Sequence, residues 1–296
     1  MPNRPQVAAA AASLFAIALL VAGCSSGGSS SANASAPLAK EVPASVKSAG
    51  VLKVAESFPY EPFQYYVGDS KKQTGIEVDL ANQIGKQLGV KVQITNVSFD
   101  GVLTGVQGGR YDLAMSGLGV TAARAQAVDF VTDFKTGYTF AVPGKYADTL
   151  KTLDDLCGHT VSAGSGTTSV PQVQAQSKKC VSEGKSAITL LQFKDQSSQD
   201  LAVTTGKADA DMLTYSVAQS FAERNKSQGY VVPKPYAFVD FGIGVKKGDS
   251  DMSKAVKDAV NNLIKNGEYS KILKKYGQTS GAITSSKVVT SATVGS

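Results

Sequence analysis

From Gly50 onward the chain alternates between two hydrophobic periods, and that alternation restricts it to one class of fold. VLKVA, residues 51–55, predicts a short strand. From Glu77 to Leu88 the apolar residues 80, 81, 84 and 88 recur at helical spacing, and Gly89 ends the helix. VKVQIT, residues 90–95, alternates Val90, Val92 and Ile94 as a half-buried strand does. A short helix is predicted from Gly101 to Gln107, broken by Gly108-Gly109, and a strand from Tyr111 to Ser116. The rhythm restarts after Gly158. Strands are predicted at Thr160 to Ala163, Ala187 to Gln192 and Ala208 to Leu213, with helices near Thr168 to Lys178 and Ser198 to Thr205 between them. Strand–helix–strand repetition implies a parallel sheet with helices on its faces, so two runs of it make two α/β units.

Two extended stretches connect these units, Tyr138 to Val142 and Tyr236 to Val245. The second leads into an apolar face of Met252, Ala255, Val256, Ala259, Val260, Leu263 and Ile264, which predicts a helix packed back onto the first unit. Two lobes joined by two crossings would enclose a cleft. The expected boundaries are residues 46–139 with 237–282 for lobe 1, residues 140–236 for lobe 2, and a disordered tail over residues 283–296.

The first 45 residues stand outside that pattern. Val7 to Ala22 is a short apolar run where a secretory signal belongs, brief for a bilayer span. It ends in Val21-Ala22-Gly23-Cys24, which resembles a bacterial lipobox. That resemblance implies cleavage of residues 1–23 and lipidation of Cys24. Two acyl chains, at ~0.8 kcal/mol per buried methylene, make a stable membrane anchor. The Ser/Gly/Ala-rich residues that follow bury too little apolar surface to fold, so residues 24–45 read as a flexible tether.

Composition narrows the chemistry. The formal charge of +6 is spread along the chain with no basic block, which argues against nucleic acid as a partner. With Cys24 assigned to lipid, Cys157 and Cys180 remain as a pair in an exported chain, where thiols oxidise. A disulfide closing a loop of about 22 residues stabilises a fold by roughly 3 kcal/mol. The single histidine, His159, and the lack of a CxxC pair leave no pattern for a metal site and little for nucleophilic catalysis. No cofactor is expected.

One ten-residue stretch concentrates unusual residues. MSGLGVTAAR, residues 115–124, runs from a strand end through Ser116, Gly117 and Gly119 to Thr121 and Arg124. Small residues let backbone N–H groups approach a ligand, Thr121 is placed to cap a helix, and a guanidinium suits a carboxylate. Alone, Arg124 reads better as a solvated helix charge than as a ligand clamp.

The segment GIEVDLANQIGKQL, residues 75–88, resembles the signature of bacterial extracellular solute-binding proteins of family 3. The resemblance continues in order from residue 50 to 278. It includes Tyr60-Glu61-Pro62-Phe63, Phe99-Asp100, the stretch from Ser116 to Arg124, Gly166-Thr167-Thr168, residues 206–210, and Gly267 with Tyr269, Tyr276 and Gly277. It implies the periplasmic-binding-protein type II fold, a "Venus flytrap" of two α/β lobes and two hinge crossings. It also implies an extracytoplasmic, lipid-anchored receptor, expected as a monomer, that hands a small polar ligand to an ABC permease.

Site residues carry over with mixed fidelity. Ser116 and Arg124 match positions that hold a ligand carboxylate, with Thr121 retained and Gly117 and Gly119 between them; a hydroxyl is lost at Gly119. Tyr60 and Phe99 match aromatic positions around the ligand, or pack in a core. Thr167 and Thr168 match the second lobe's contribution. Thr214 stands where relatives usually place an Asp that meets the ligand ammonium, and Ser57 where many have another Asp. Glu56, Glu61, Asp100 and Asp211 are nearby acids, although strand alternation turns Asp211 away from the side of Thr214. Asp209 reads as structural. The implied ligand is a polar amino acid or a related small carboxylate. The alternatives are a dehydratase-like enzyme of the same fold, using an acid such as Glu61 or Asp100, and a receptor for another polar solute.

Overall fold

In the computed structural model, which describes residues 33–295, two long antiparallel strands stitch the strand–helix runs together. In chain order the strands are β1 (Val51–Glu56), β2 (Tyr65–Tyr66), β3 (Gln73–Thr74), β4 (Lys91–Asn96), β5 (Leu113–Ala114), β6 (Val128–Ala141), β7 (Thr160–Gly164), β8 (Thr189–Phe193), β9 (Ala210–Thr214), β10 (Tyr236–Lys246) and β11 (Val288–Val289). The helices are α1 (Ala44–Ala49), α2 (Ile76–Leu88), α3 (Phe99–Gln107), α4 (Ala122–Ala125), α5 (Ser169–Ser182), α6 (Gln196–Thr204), α7 (Tyr215–Arg224), α8 (Ser250–Lys265) and α9 (Glu268–Lys275). The sheet order is β4-β1-β5-β10-β6-β9-β7-β8, with β11 against β6.

Parallel β4, β1 and β5 form one end of this sheet and parallel β8, β7 and β9 the other. β6 and β10 run antiparallel between them. β6 meets β11 at Phe130 and Val131 and β9 from Tyr138 to Ala141, so the same strand serves both ends. This is the expected architecture of two α/β units with two crossings. β6 also extends ten residues upstream of the predicted stretch, and only Lys135 in it is exposed. α7, α9 and the β2–β3 hairpin add to the predicted elements, and α4 is the helix that Thr121 is expected to cap.

The helices form where their apolar faces meet the sheet. In α2, Leu80, Ala81, Ile84 and Leu88 are buried, each at 1% exposure or less. Gly89 ends the helix in the left-handed conformation and returns its N–H to Gly85 and Lys86 carbonyls. Burying a leucine or isoleucine side chain stabilises a fold by about 1.5–3 kcal/mol. α8 buries Met252, Ala255, Val256, Ala259, Val260 and Leu263 in the core that also holds Leu80 and Val131, so it packs onto the first unit as predicted. The second unit has its own core around Val161, Val173 and Met212, where Cys157 and Cys180 are joined in a disulfide.

Two expectations fail at the ends. The tail is not frayed: Val288 and Val289 pair with β6, and the Ser286 hydroxyl donates to Thr132 O. Small polar residues gave no local pattern, yet strand edge and buried hydroxyls hold them. The later part of the expected tether is also docked. Asn33 N donates to Gly89 O, Leu38 N donates to Gln87 O, and α1 begins at Ala44. Cys24 and the signal segment lie outside the described residues. Among the described residues no helix is long and apolar enough to cross a membrane.

Candidate functional site

A cleft lies between the two units; its empty space, the part open to solvent included, is about 690 Å³. Its first wall comes from the loop after β1, the start of α3 and the segment after β5. Its second comes from the β7–α5 turn, the β8–α6 turn and the end of β9. These are the carboxyl ends of parallel strands, where open α/β sheets place ligands. Of the residues predicted for the site, Ser57, Tyr60, Phe99, Ser116, Gly117, Arg124, Thr167, Thr168 and Thr214 line this cleft. Gly119 and Thr121 do not.

Arg124 is the centre of the geometry. It sits in α4, a single turn whose start is capped by Thr121: the Thr121 hydroxyl accepts from Arg124 N at 3.2 Å. The guanidinium donates to Gly119 O at 2.9 Å on its own side and to Gly166 O at 3.0 Å across the cleft. It also lies 5.6 Å from the Phe99 ring centroid, a cation–π contact. Burial lowers its pKa, yet an arginine stays charged in proteins. Gly119 and Thr121 therefore act through Arg124, one by its carbonyl and one by its hydroxyl. Gly119 is also small because the second wall is close: a Cβ there would lie 3.1 Å from Thr168 Cγ2.

The floor departs from the expectation of free backbone donors. Gly117 N donates to both carboxylate oxygens of Glu77, at 2.9 and 3.0 Å. That N–H is thus occupied from below. Gly117 instead gives space: at φ +55° it takes a conformation that favours glycine, and a Cβ would meet Tyr60 Cε1 at 2.5 Å. Ser116 Oγ accepts from Ser57 N at 3.1 Å and Gln64 Nε2 at 2.8 Å. With both acceptor positions filled, its own proton is left to donate.

Tyr60 stacks on Phe63 with centroids 5.8 Å apart. Its hydroxyl reaches Thr214 Oγ1 at 3.4 Å, a second contact across the cleft. Burial pushes the phenol up to about 12, so it stays neutral. Thr214 precedes α7 without capping it. Thr167 turns its hydroxyl onto Gly164 O at 2.7 Å, while Thr168 makes no cap bond to α5.

The nearby acids are elsewhere. Glu56 is fully buried in the core with neither carboxylate oxygen paired, and burial raises its pKa well above the usual range. Glu61 pairs with Arg224 at 3.0 Å. Asp211 is fully buried and accepts from Ser162 Oγ and from Gln199 Nε2, whose residue lines the cleft. Neither Glu61 nor Asp100 lines the cleft. Asp209 accepts from Tyr146 OH at 2.7 Å and Thr160 N at 3.0 Å, a structural role, with His159 beside it. Among the described residues no group of three His, Cys, Asp or Glu side chains is placed to hold a metal ion.

Sequence reading missed Phe58, Phe193, Lys194, Asp195, Gln196, Gln199 and Met212, all of which line the cleft. Most sit on the β8–α6 turn, where only Asp195, in the N-cap position of α6, carried a local signal.

Comparison with known proteins gives the family. Residues 52–279 match the bacterial extracellular solute-binding proteins, family 3, and the chain belongs to that family. It is similar to the L-cystine-binding protein TcyJ of Escherichia coli (strain K12), 26% identical over 232 residues, covering 78% of this chain and 84% of that protein. It is similar to the crystal structure of AbpA from Streptococcus pneumoniae Canada MDR_19A, an amino acid ABC transporter substrate-binding protein bound to L-arginine. There the TM-score is 0.72 at 25% identity, over 81% of this chain and 99% of that one. It is also similar to the ancestral amino acid-binding protein AncCDT-1, a precursor of cyclohexadienyl dehydratase, with a TM-score of 0.71 at 28% identity, over 78% and 97%.

Proposed function

We propose that this chain is the lipid-anchored receptor of an ABC importer, capturing a polar amino acid or a related small carboxylate by closure of its two lobes. The observation that carries this reading is Arg124. One guanidinium, held by carbonyls from both sides of a cleft, is a ready carboxylate clamp and a reason for the lobes to come together. Tyr60 and Phe99 supply faces for the body of the ligand, and Ser116 a donor. Residues 46–139 with 237–282 form one lobe in this reading and residues 140–236 the other; β6 and β10 bend between them. Cys24 is the site of lipidation, and the receptor works as a monomer outside the membrane beside its permease.

The dehydratase reading requires an acid positioned at the reacting atoms. Glu61 is tied to Arg224 and Asp100 sits at the edge against Gly166, outside the residues that line the cleft, so binding is the better supported function.

Native mass spectrometry of the purified chain tests the proposal. A co-purified small carboxylate is expected on the wild type and is lost in Arg124→Gln. A ligand retained equally by both would place the binding site away from Arg124 and overturn this assignment.

A further inference from the structure

We infer, resting on the receptor reading, that the cleft selects a carboxylate that carries no free α-amine over the corresponding amino acid. The charged side chains lining the cleft are Arg124, Lys194 and Asp195, with the Asp100 carboxylate at its edge beside Gly166. The lining carboxylate is exposed at the rim and already engaged. Asp195 Oδ1 accepts from Ser198 N at 2.8 Å and Oδ2 from Ser198 Oγ at 3.0 Å, fixing the start of α6.

The inner end is uncharged. It is made by the Tyr60 hydroxyl and Thr214 Oγ1, and burial keeps the phenol protonated. The acids closest to these two in sequence are turned elsewhere: Glu61 to Arg224, Asp211 to Ser162 and Gln199. An ammonium group drawn to this end of the cleft, beside Tyr60 and Thr214, would lose water without gaining an anion. A carboxylate faces the reverse situation. Arg124 uses two N–H groups on Gly119 O and Gly166 O and has others left to donate. Phe58, Phe193 and Met212 offer apolar surface to the rest of the molecule, and the two hydroxyls suit a neutral polar end such as an amide or alcohol.

Isothermal titration calorimetry with paired probes tests this. The pairs are L-glutamine and glutaramate, L-phenylalanine and hydrocinnamate, and L-arginine and δ-guanidinovalerate, titrated into the wild-type chain, Arg124→Gln and Thr214→Asp. The wild type is expected to bind at least one deaminated acid roughly ten-fold or more tighter than its amino acid. Arg124→Gln loses that binding, and Thr214→Asp reverses the preference by supplying an anion beside Tyr60. An amino acid bound more tightly than its deaminated partner by the wild type overturns the inference and leaves the receptor reading standing. Binding that survives Arg124→Gln overturns the inference and the Arg124 assignment together. Silence from all six probes in all three proteins overturns both the inference and the reading on which it rests. The wild-type comparison decides the matter even if a variant fails to fold.

Discussion

Gly117 shows how one position in the cleft answers to three demands at once. Its N–H is held by Glu77, its φ is positive, and its missing side chain is the space into which the Tyr60 ring fits. Gly117→Ala is therefore expected to destabilise the chain by about 1–3 kcal/mol, through backbone strain and the clash with Tyr60. Urea denaturation measures the first effect; loss of ligand affinity as the Tyr60 ring is displaced measures the second. The pattern around Gly117 was legible as a cluster of small residues, but their reasons were not. Small size implied backbone donors facing a ligand. The donor of Gly117 is instead taken by an acid of α2 forty residues earlier, a contact that no local spacing encodes. Gly119 and Thr121 were likewise legible as part of the site; Thr121 reaches it through Arg124, and Gly119 through Arg124 and by leaving room for Thr168.

At the scale of elements, the helices with clean apolar faces, α2 and α8, were legible because their partners lie on one side. β6 was half hidden. Its buried residues include Asp129, Thr132, Asp133 and Thr136, which break the period a strand is recognised by. Two of them have partners far along the chain: Gly248 N donates to Asp129 Oδ2 and Lys287 N to Thr132 Oγ1, while Asp133 Oδ1 and Thr136 Oγ1 are buried without one. The same contacts explain why the tail is ordered. Truncation after residue 282 removes β11 and the Ser286 and Lys287 bonds to Thr132, so it is expected to lower stability by roughly 1–3 kcal/mol, read as a lower thermal midpoint. Helix α6 makes a separate prediction. Asp195 accepts from Ser198 N as its cap, and Asp195→Ala should destabilise the fold by about 1 kcal/mol. Ligand affinity should not fall, because the carboxylate is engaged with the helix.

Across the whole molecule, the unusual feature is the set of acids buried beneath the cleft floor. Glu56, Glu77 and Asp133 lie in the first lobe's interior at 2% exposure or less. Burial raises the pKa of each; for Glu77, repulsion by Asp133 and Glu56 adds to it, while the Gly117 N–H opposes it. Asp133 is raised from 3.8 to about 7. An acid raised in this way holds its proton more tightly folded than unfolded. Its contribution to stability is fully present below the unfolded pKa near 3.8, and is lost as pH rises through about 7. For Asp133 the difference between these limits is on the order of 4 kcal/mol at most. Exposed acids held by lysines, such as Asp154 beside Lys179, act with the opposite sign, so the raw pH profile is a sum. Comparison with Asp133→Asn cancels the exposed pairs, which are common to both proteins, and leaves Asp133 together with the repulsion it exerts on Glu77. Urea denaturation from pH 4 to 8 should show the wild type losing stability relative to Asp133→Asn as pH rises, with most of the change complete by about pH 7. Parallel profiles for the two proteins would mean that Asp133 does not hold its proton in the folded state. The floor of the cleft would then contain a buried negative charge, and an ammonium at the Tyr60–Thr214 end above it would be less disfavoured.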